Sequence, residues 1–313
     1  MSVPASVRRV VAWLPEEPPA PAASRSLDLA QLLTCLMFVY YAGEPGFPFM
    51  ALAPLSVAVL MAAIVWPRLR ASALLWLYVA LMVVWARLPE LLVIDNHHYL
   101  IAYWCIALTA CLLADPRAPG PLVARSARLL VGLTMGFAVI AKLRSGEFAS
   151  GDFFEFLLLA GDRFDGLSEL VLRVPAEQLA ANRAAVETLI TPGLQKSLVT
   201  EVVLQGPERV RVAALLLAWW TLAIEGAAAI AFLWPGRSVL AKAVRHGSLI
   251  LFALSTYAIA TVGAFAWILL ILGTAQCEED ERLVRAAYAG TFLLVLLYAL
   301  PWGDALRASG LGS

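Results

Sequence analysis

The stretch RVAALLLAWWTLAIEGAAAIAFLW, Arg211–Trp234, decides the fold. As a helix it is long enough to cross the hydrocarbon core of a bilayer, which needs roughly 20 mostly apolar residues. Between its ends it carries one ionisable side chain, Glu225. Outward from it, seven more runs share this character: Leu27–Ala42, Phe49–Trp66, Ala71–Arg87, His98–Ala114, Ala127–Leu143, His246–Thr274 and Arg285–Pro301. Composition agrees, with 61% hydrophobic residues, 15% charged residues and a mean hydropathy of +0.80. A soluble domain rarely has such values. The expected fold is all-α, a polytopic transmembrane helical bundle of about eight spans.

Proline and tryptophan mark the ends of these runs. Pro45, Pro48, Pro67, Pro89, Pro116, Pro235 and Pro301 sit at or just outside them, where a missing backbone donor does no harm. Trp66, Trp85, Trp234 and Trp302 stand where an interfacial aromatic belt belongs. Short loops rich in Lys and Arg favour the cytoplasm. One set of loops holds Arg8, Arg9, Arg25, Arg68, Arg70, Arg117, Arg125, Arg128, Arg237, Lys242, Arg245 and Arg307, whereas the opposite short loops hold Arg87, Arg282 and Arg285. Both termini are therefore expected in the cytoplasm of a cell whose plasma or bacterial inner membrane the chain spans. Residues 1–26 read as a cytoplasmic tail without a secretory cleavage pattern, 27–301 as the transmembrane domain, and 302–313 as a second cytoplasmic tail. An outer loop at about 144–210 carries an amphipathic helical segment, Pro175–Ile190, and an apolar piece, Phe153–Leu159, too short to span.

The zero formal net charge and the scattered basic residues exclude a nucleic-acid surface. Cys35, Cys105, Cys111 and Cys277 form no CxxC pair, so neither a disulfide nor a zinc site is expected. The informative residues are the ionisable ones beside hydrocarbon, where a charge costs roughly 2.5–3.5 kcal/mol at a helix centre. Asp95, Asn96, His97 and His98 form a polar run opening the fourth span, read either as a helix cap or as a site. On an ideal helix the two histidines point about 100° apart. Lys142 closes the fifth span, either as a snorkelling anchor or as a base. Arg144 already supplies an anchor there, and a partly desolvated lysine gives up its proton more readily. Glu225, mid-span among small residues, reads as a buried helix contact, structural or functional. His246, beside Arg245, reads as a solvated or headgroup-level residue. The topology puts Lys142 and His97 at the same, outer face, within about one side chain's reach of each other.

Three stretches resemble the horizontally transferred transmembrane (HTTM) domain family, which includes the membrane domain of vitamin K-dependent γ-glutamyl carboxylase. Asp95-Asn-His-His-Tyr-Leu100 is similar to the family's Asn-His-x-Tyr-Leu span opening, followed by a polar loop near Asp115. Ala138-Val-Ile-Ala-Lys142-Leu, then Glu147-Phe-Ala-Ser-Gly151, resembles its Ala-Gly-x-x-Lys-Leu and Asp-Trp-x-x-Gly, with Phe148 in the tryptophan position. Glu225 in an apolar span and Gly263-Ala-Phe265-Ala-Trp267 in the next resemble a third. The resemblance implies that Lys142 is the catalytic base toward a vitamin K-like membrane hydroquinone. It makes His97 a second catalytic residue and gives Asn96, His98, Tyr99 and Glu225 substrate-binding roles. In the family, oxygenation of the deprotonated quinol yields a strong base that takes a γ-proton from glutamate before carbon dioxide adds. Where the family has a His with Asn or Gln further on, this chain reads Ala253, Thr256 and Ala258. It also ends soon after its last span, so carboxylation of a peptide or secreted protein is expected to need a partner that supplies the substrate.

Two function classes follow. One is a membrane enzyme of quinol-linked base chemistry; the other is a non-catalytic scaffold serving peptide maturation, export or immunity. A transporter has less support, because no repeat of discontinuous helices is evident.

Overall fold

The computed structural model describes residues 25–41, 53–87, 96–190, 202–236, 238–257 and 263–299. Every regular element among them is helical. In chain order these are α1 (Arg25–Tyr41), α2 (Ala53–Val65), α3 (Pro67–Arg70), α4 (Ala73–Arg87), α5 (Asn96–Ala114), α6 (Gly120–Arg144), α7 (Gly146–Ala149), α8 (Asp152–Ala160), α9 (Ala176–Ile190), α10 (Glu208–Leu233), α11 (Val239–Tyr257), α12 (Gly263–Ala275) and α13 (Arg282–Ala299). A 3₁₀ turn, Asp162–Phe164, and a π turn, Leu167–Val171, lie between α8 and α9. Four helices, α5, α6, α10 and α11, are long and apolar enough to cross a membrane; α2, α4 and α12 are shorter apolar helices. The expected tails lie outside the described residues, apart from Arg25 and Ser26, as do Asp95 and the side chain of Asn96.

The run expected as one span, His246–Thr274, is two helices: α11 ends at Tyr257 and α12 starts at Gly263. One helix over that run would be about 43 Å long at 1.5 Å per residue, well beyond a core of roughly 30 Å.

The backbone divides into two compact units, Met1–Thr134 with Ala231–Ala253 and Val262–Ser313, and Met135–Ile230 with Leu254–Thr261. In the first unit α12 is the hub, packed on α1, α5 and α13. Its consecutive side chains Trp267, Ile268, Leu269, Leu270, Ile271 and Leu272 are all buried, as a helix apolar on every side must be. Gly273 allows α13 to approach: a Cβ there would lie 2.6 Å from Cζ of Tyr288. That ring is fully buried, and its hydroxyl is 3.0 Å from Nδ1 of His246, so it has little freedom to move aside. Gly273→Ala is therefore expected to destabilise the protein by about 1–3 kcal/mol through overpacking, read as a lower unfolding midpoint in detergent. An unchanged midpoint would contradict this account of the α12–α13 contact.

Buried polar groups tie one end of this unit together. Arg70 donates to the carbonyls of Ala63 and Ile64, both at 2.7 Å, closing the C-terminus of α2, and pairs with Asp28 of α1 at 2.7 Å. Ser26 donates to the carbonyl of Cys277 at 2.8 Å and accepts from Arg285 at 3.1 Å. Lys242, at the start of α11, reaches Glu278 at 2.6 Å. The starts of α1 and α11 and the α12–α13 connection thus share one end. Ser26 and Arg285, expected on opposite membrane faces, are hydrogen-bonded to each other and so share one end of this unit.

The second unit contains the expected outer loop, whose described residues, 144–190 and 202–210, are folded. Gly151, with φ of +86°, takes the left-handed turn between α7 and α8 that an L side chain rarely adopts. Leu158 and Leu159 of α8 form a core with Phe164, Leu172, Leu179 and Val210. The segment expected to be helical, Pro175–Ile190, is α9 from Ala176, burying Leu179 and Asn182 on one stripe. Asn182 donates to the carbonyls of Leu159 (3.2 Å), in the last turn of α8, and of Gln205 (2.9 Å), in the segment before α10, satisfying one acceptor at a helix end and one outside any helix. Arg211 of α10 pairs with Asp152 and, at 2.6 Å, with Glu155, fixing α8 beside it. The Ser150 hydroxyl and the Arg211 guanidinium hold the Asp152 carboxyl below its ordinary range.

Candidate functional site

Two residues singled out separately in the sequence meet in the second unit. Lys142 lies in the last turn of α6 and Glu225 two-thirds of the way along α10, and their ammonium and carboxylate form an ion pair. The register that brings them together is antiparallel: a Cβ on Gly136 would touch that of Ala229 at 3.9 Å, so moving up α6 to Lys142 moves back along α10 to Glu225. The small residues Gly136 and Ala229 let the two helices approach there.

The two partners differ in access. The Lys142 side chain is 24% exposed and that of Glu225 5%. Oε1 of Glu225 takes the ammonium, while Oε2 is buried with no hydrogen-bond partner among the described residues. Beside it, a Cβ on Gly226 would meet nothing within 4 Å. Nζ of Lys142 also lies 5.2 Å from the ring centroid of Phe148, near enough for a cation–π contact. Phe148 is itself buried with Ala218 and Leu222, against Val139 and Phe154. The amine therefore sits between a carboxylate behind it, an aromatic face beside it and apolar walls. Such a setting strengthens the pair electrostatically and penalises either charge left alone.

His97, His98 and Tyr99 stand in the first unit, half-buried in the opening turn of α5. The imidazole rings are 4.1 Å apart with a 35° tilt, closer than the expected divergence of neighbouring helical side chains. In a first turn no preceding turn restricts χ1, so adjacent rings can swing together. Asn96 begins the same helix.

His246 is not solvated, contrary to the sequence reading. It is 5% exposed, with Nδ1 on the Tyr288 hydroxyl and Nε2 3.6 Å from Glu281. Neighbouring positions on a helix face about 100° apart. Arg245 turns to the carbonyls of Ala231 and Gly236 (3.2 and 3.0 Å) while His246 turns inward. A signal was available in the i, i+4 spacing of Lys242 and His246, with the acidic run Glu278–Glu281 to receive them. Burial pushes the Cys277 thiol up to about 12, so at neutral pH it stays protonated.

No protein-family model matches the chain, and neither a curated protein nor a solved structure matches it.

Proposed function

We propose that this is an HTTM-like membrane protein in which the Lys142–Glu225 pair accepts a proton from a membrane hydroquinone. The observation that carries the reading is the asymmetry of the pair, an accessible amine backed by a buried carboxylate. The pair has zero net charge whether its proton rests on nitrogen or oxygen, so either form is tolerable in an apolar setting. With the proton on Glu225, Lys142 Nζ is a neutral base facing outward. It takes a hydroxyl proton from the quinol, becomes an ammonium and offsets the charge left on the quinol oxygen. Glu225 holds the first proton throughout, and the buried Phe148 ring stabilises the ammonium that forms 5.2 Å from its centroid. Lys142 remains the catalytic residue that the resemblance assigns.

The protein is a multi-pass membrane component, and the end of the first unit bearing Arg70, Lys242, Arg245, Arg282 and Arg285 faces the cytoplasm. A carboxylation step would need a peptide or secreted protein brought by a partner. The alternative is a non-catalytic scaffold for peptide maturation, export or immunity. One observation favours it: the ion pair joins two helices and so has a purely structural use. The deciding experiment supplies purified protein in lipid nanodiscs with vitamin K hydroquinone and oxygen and follows quinol loss and epoxide formation. The proposal expects turnover in the wild type and a loss of about 100-fold or more in Lys142→Ala. Equal background rates in both would leave the scaffold.

A further inference from the structure

α8 is apolar on two faces, and packing within the second unit accounts for one of them. Leu158 and Leu159 lie in the core of that unit. Phe156 is two positions before Leu158, about 200° round the helix, and Phe153 lies one turn before Phe156 on the same side. Both rings are 44% exposed. The charged side chains of α8 are engaged elsewhere, since Arg211 at the start of α10 holds Asp152 and Glu155. The π turn Leu167–Val171 is tied to the same level. Ser168 donates to the carbonyl of Leu158 at 2.7 Å, and Arg209, in the first turn of α10, donates to that of Leu172. Leu170 and Val171 of this turn are exposed.

What covers this apolar surface follows from the level of Arg211 on α10, one of the helices long and apolar enough to cross a membrane. Val212, Leu216, Trp219, Ile230 and Leu233 are exposed and fall on one apolar stripe along it. From Val212 to Leu233 the helix rises about 32 Å, close to a hydrocarbon core of roughly 30 Å. The stripe therefore fills the core only if the boundary lies at Arg211, the level at which α8 is held. A rival boundary stands at Trp219, suggested by the exposed Arg144 and Glu147 where α6 passes into α7. It leaves about 21 Å to Leu233, short of the core thickness, and it puts Val212, Leu216, Phe153 and Phe156 together in water.

We propose that α8 and the adjoining π turn are seated in the bilayer, with Phe153, Phe156 and Leu170 among the acyl chains of the leaflet at the Arg211 end of α10 and Arg211 itself at headgroup level. The partner of this surface is lipid, continuous with the stripe on α10. The inference stands whether or not Lys142 meets a quinol.

The full-length protein is placed in lipid nanodiscs with a nitroxide on one introduced cysteine; Cys35, Cys105, Cys111 and Cys277 are buried and stay unlabelled. Power-saturation EPR then reads how often the label collides with oxygen and with a polar nickel chelate. Ala227→Cys, exposed within the stripe of α10, is the hydrocarbon reference, and Glu177→Cys, exposed on α9, is the water reference. The ratio of oxygen to chelate collisions at Phe156→Cys and Leu170→Cys is expected to be roughly ten-fold above that at Glu177→Cys, because oxygen enters hydrocarbon freely whereas a polar chelate loses its hydration there. If Phe156→Cys fails to fold, Phe153→Cys decides for α8. A ratio equal to the water reference at either position would put the boundary at Trp219 and overturn the proposal. Slow collisions with both probes would show the surface covered by protein and overturn it equally.

Discussion

Lys142→Met is expected to cost about 3–5 kcal/mol of stability, and adding Glu225→Met to it is expected to recover most of that loss. The reason lies in which partner is left behind. Removing the amine strands a carboxylate that is 5% exposed, and one of its oxygens already has no partner among the described residues. Removing both leaves two apolar side chains of similar length facing Val139, Leu222 and Phe148, a surface suited to them. The single Glu225→Met change should cost less than Lys142→Met, because the lysine retains access to water. A double-mutant cycle, measured by unfolding titration in mixed micelles, isolates the coupling. Additive losses in the double variant would show that the two residues do not act as a pair.

The second large effect is one of sidedness. Reporters fused before Arg25 and after Ala299 are expected on opposite membrane faces. Ser26 and Arg285 are hydrogen-bonded to each other, and Lys242 reaches Glu278, so the starts of α1, α11 and α13 share an end. With 18 residues, α13 then runs about 27 Å away from that end, close to a full crossing. This also places Arg282 and Arg285 on the side richer in Lys and Arg, sharpening the charge bias between the two sets of loops. A paired alkaline phosphatase and fluorescent-protein fusion at each position gives an all-or-none readout. The same face at both ends would restore a single crossing over His246–Thr274.

Helical character was legible because apolar runs such as Arg211–Trp234 carry it residue by residue. The reversal between α11 and α12 was not. In a run apolar on every side, periodicity has no contrast with which to mark a boundary, and only its length pointed to two helices. Lys142 and Glu225 each stood out by the cost of a charge beside hydrocarbon. Their contact did not, since it depends on α6 lying beside α10 in one register across 83 positions. His246 was misjudged for a related reason: Arg245 beside it in sequence says nothing about the face it occupies. The folded core around Leu158, Leu159 and Leu179 was obscured by short, mixed segments that resemble a loop when taken one at a time.

The central claim, that the Lys142 amine takes a proton from quinol, is tested most directly by Lys142→Arg in the oxygen-dependent hydroquinone assay. Arginine keeps the positive charge and the pairing with Glu225, so the protein should fold and insert at wild-type levels. A guanidinium does not surrender its proton in a protein, so it cannot serve as the neutral base. The account predicts a well-folded Lys142→Arg protein as inactive as Lys142→Ala; a folded Lys142→Arg protein with wild-type turnover would contradict it.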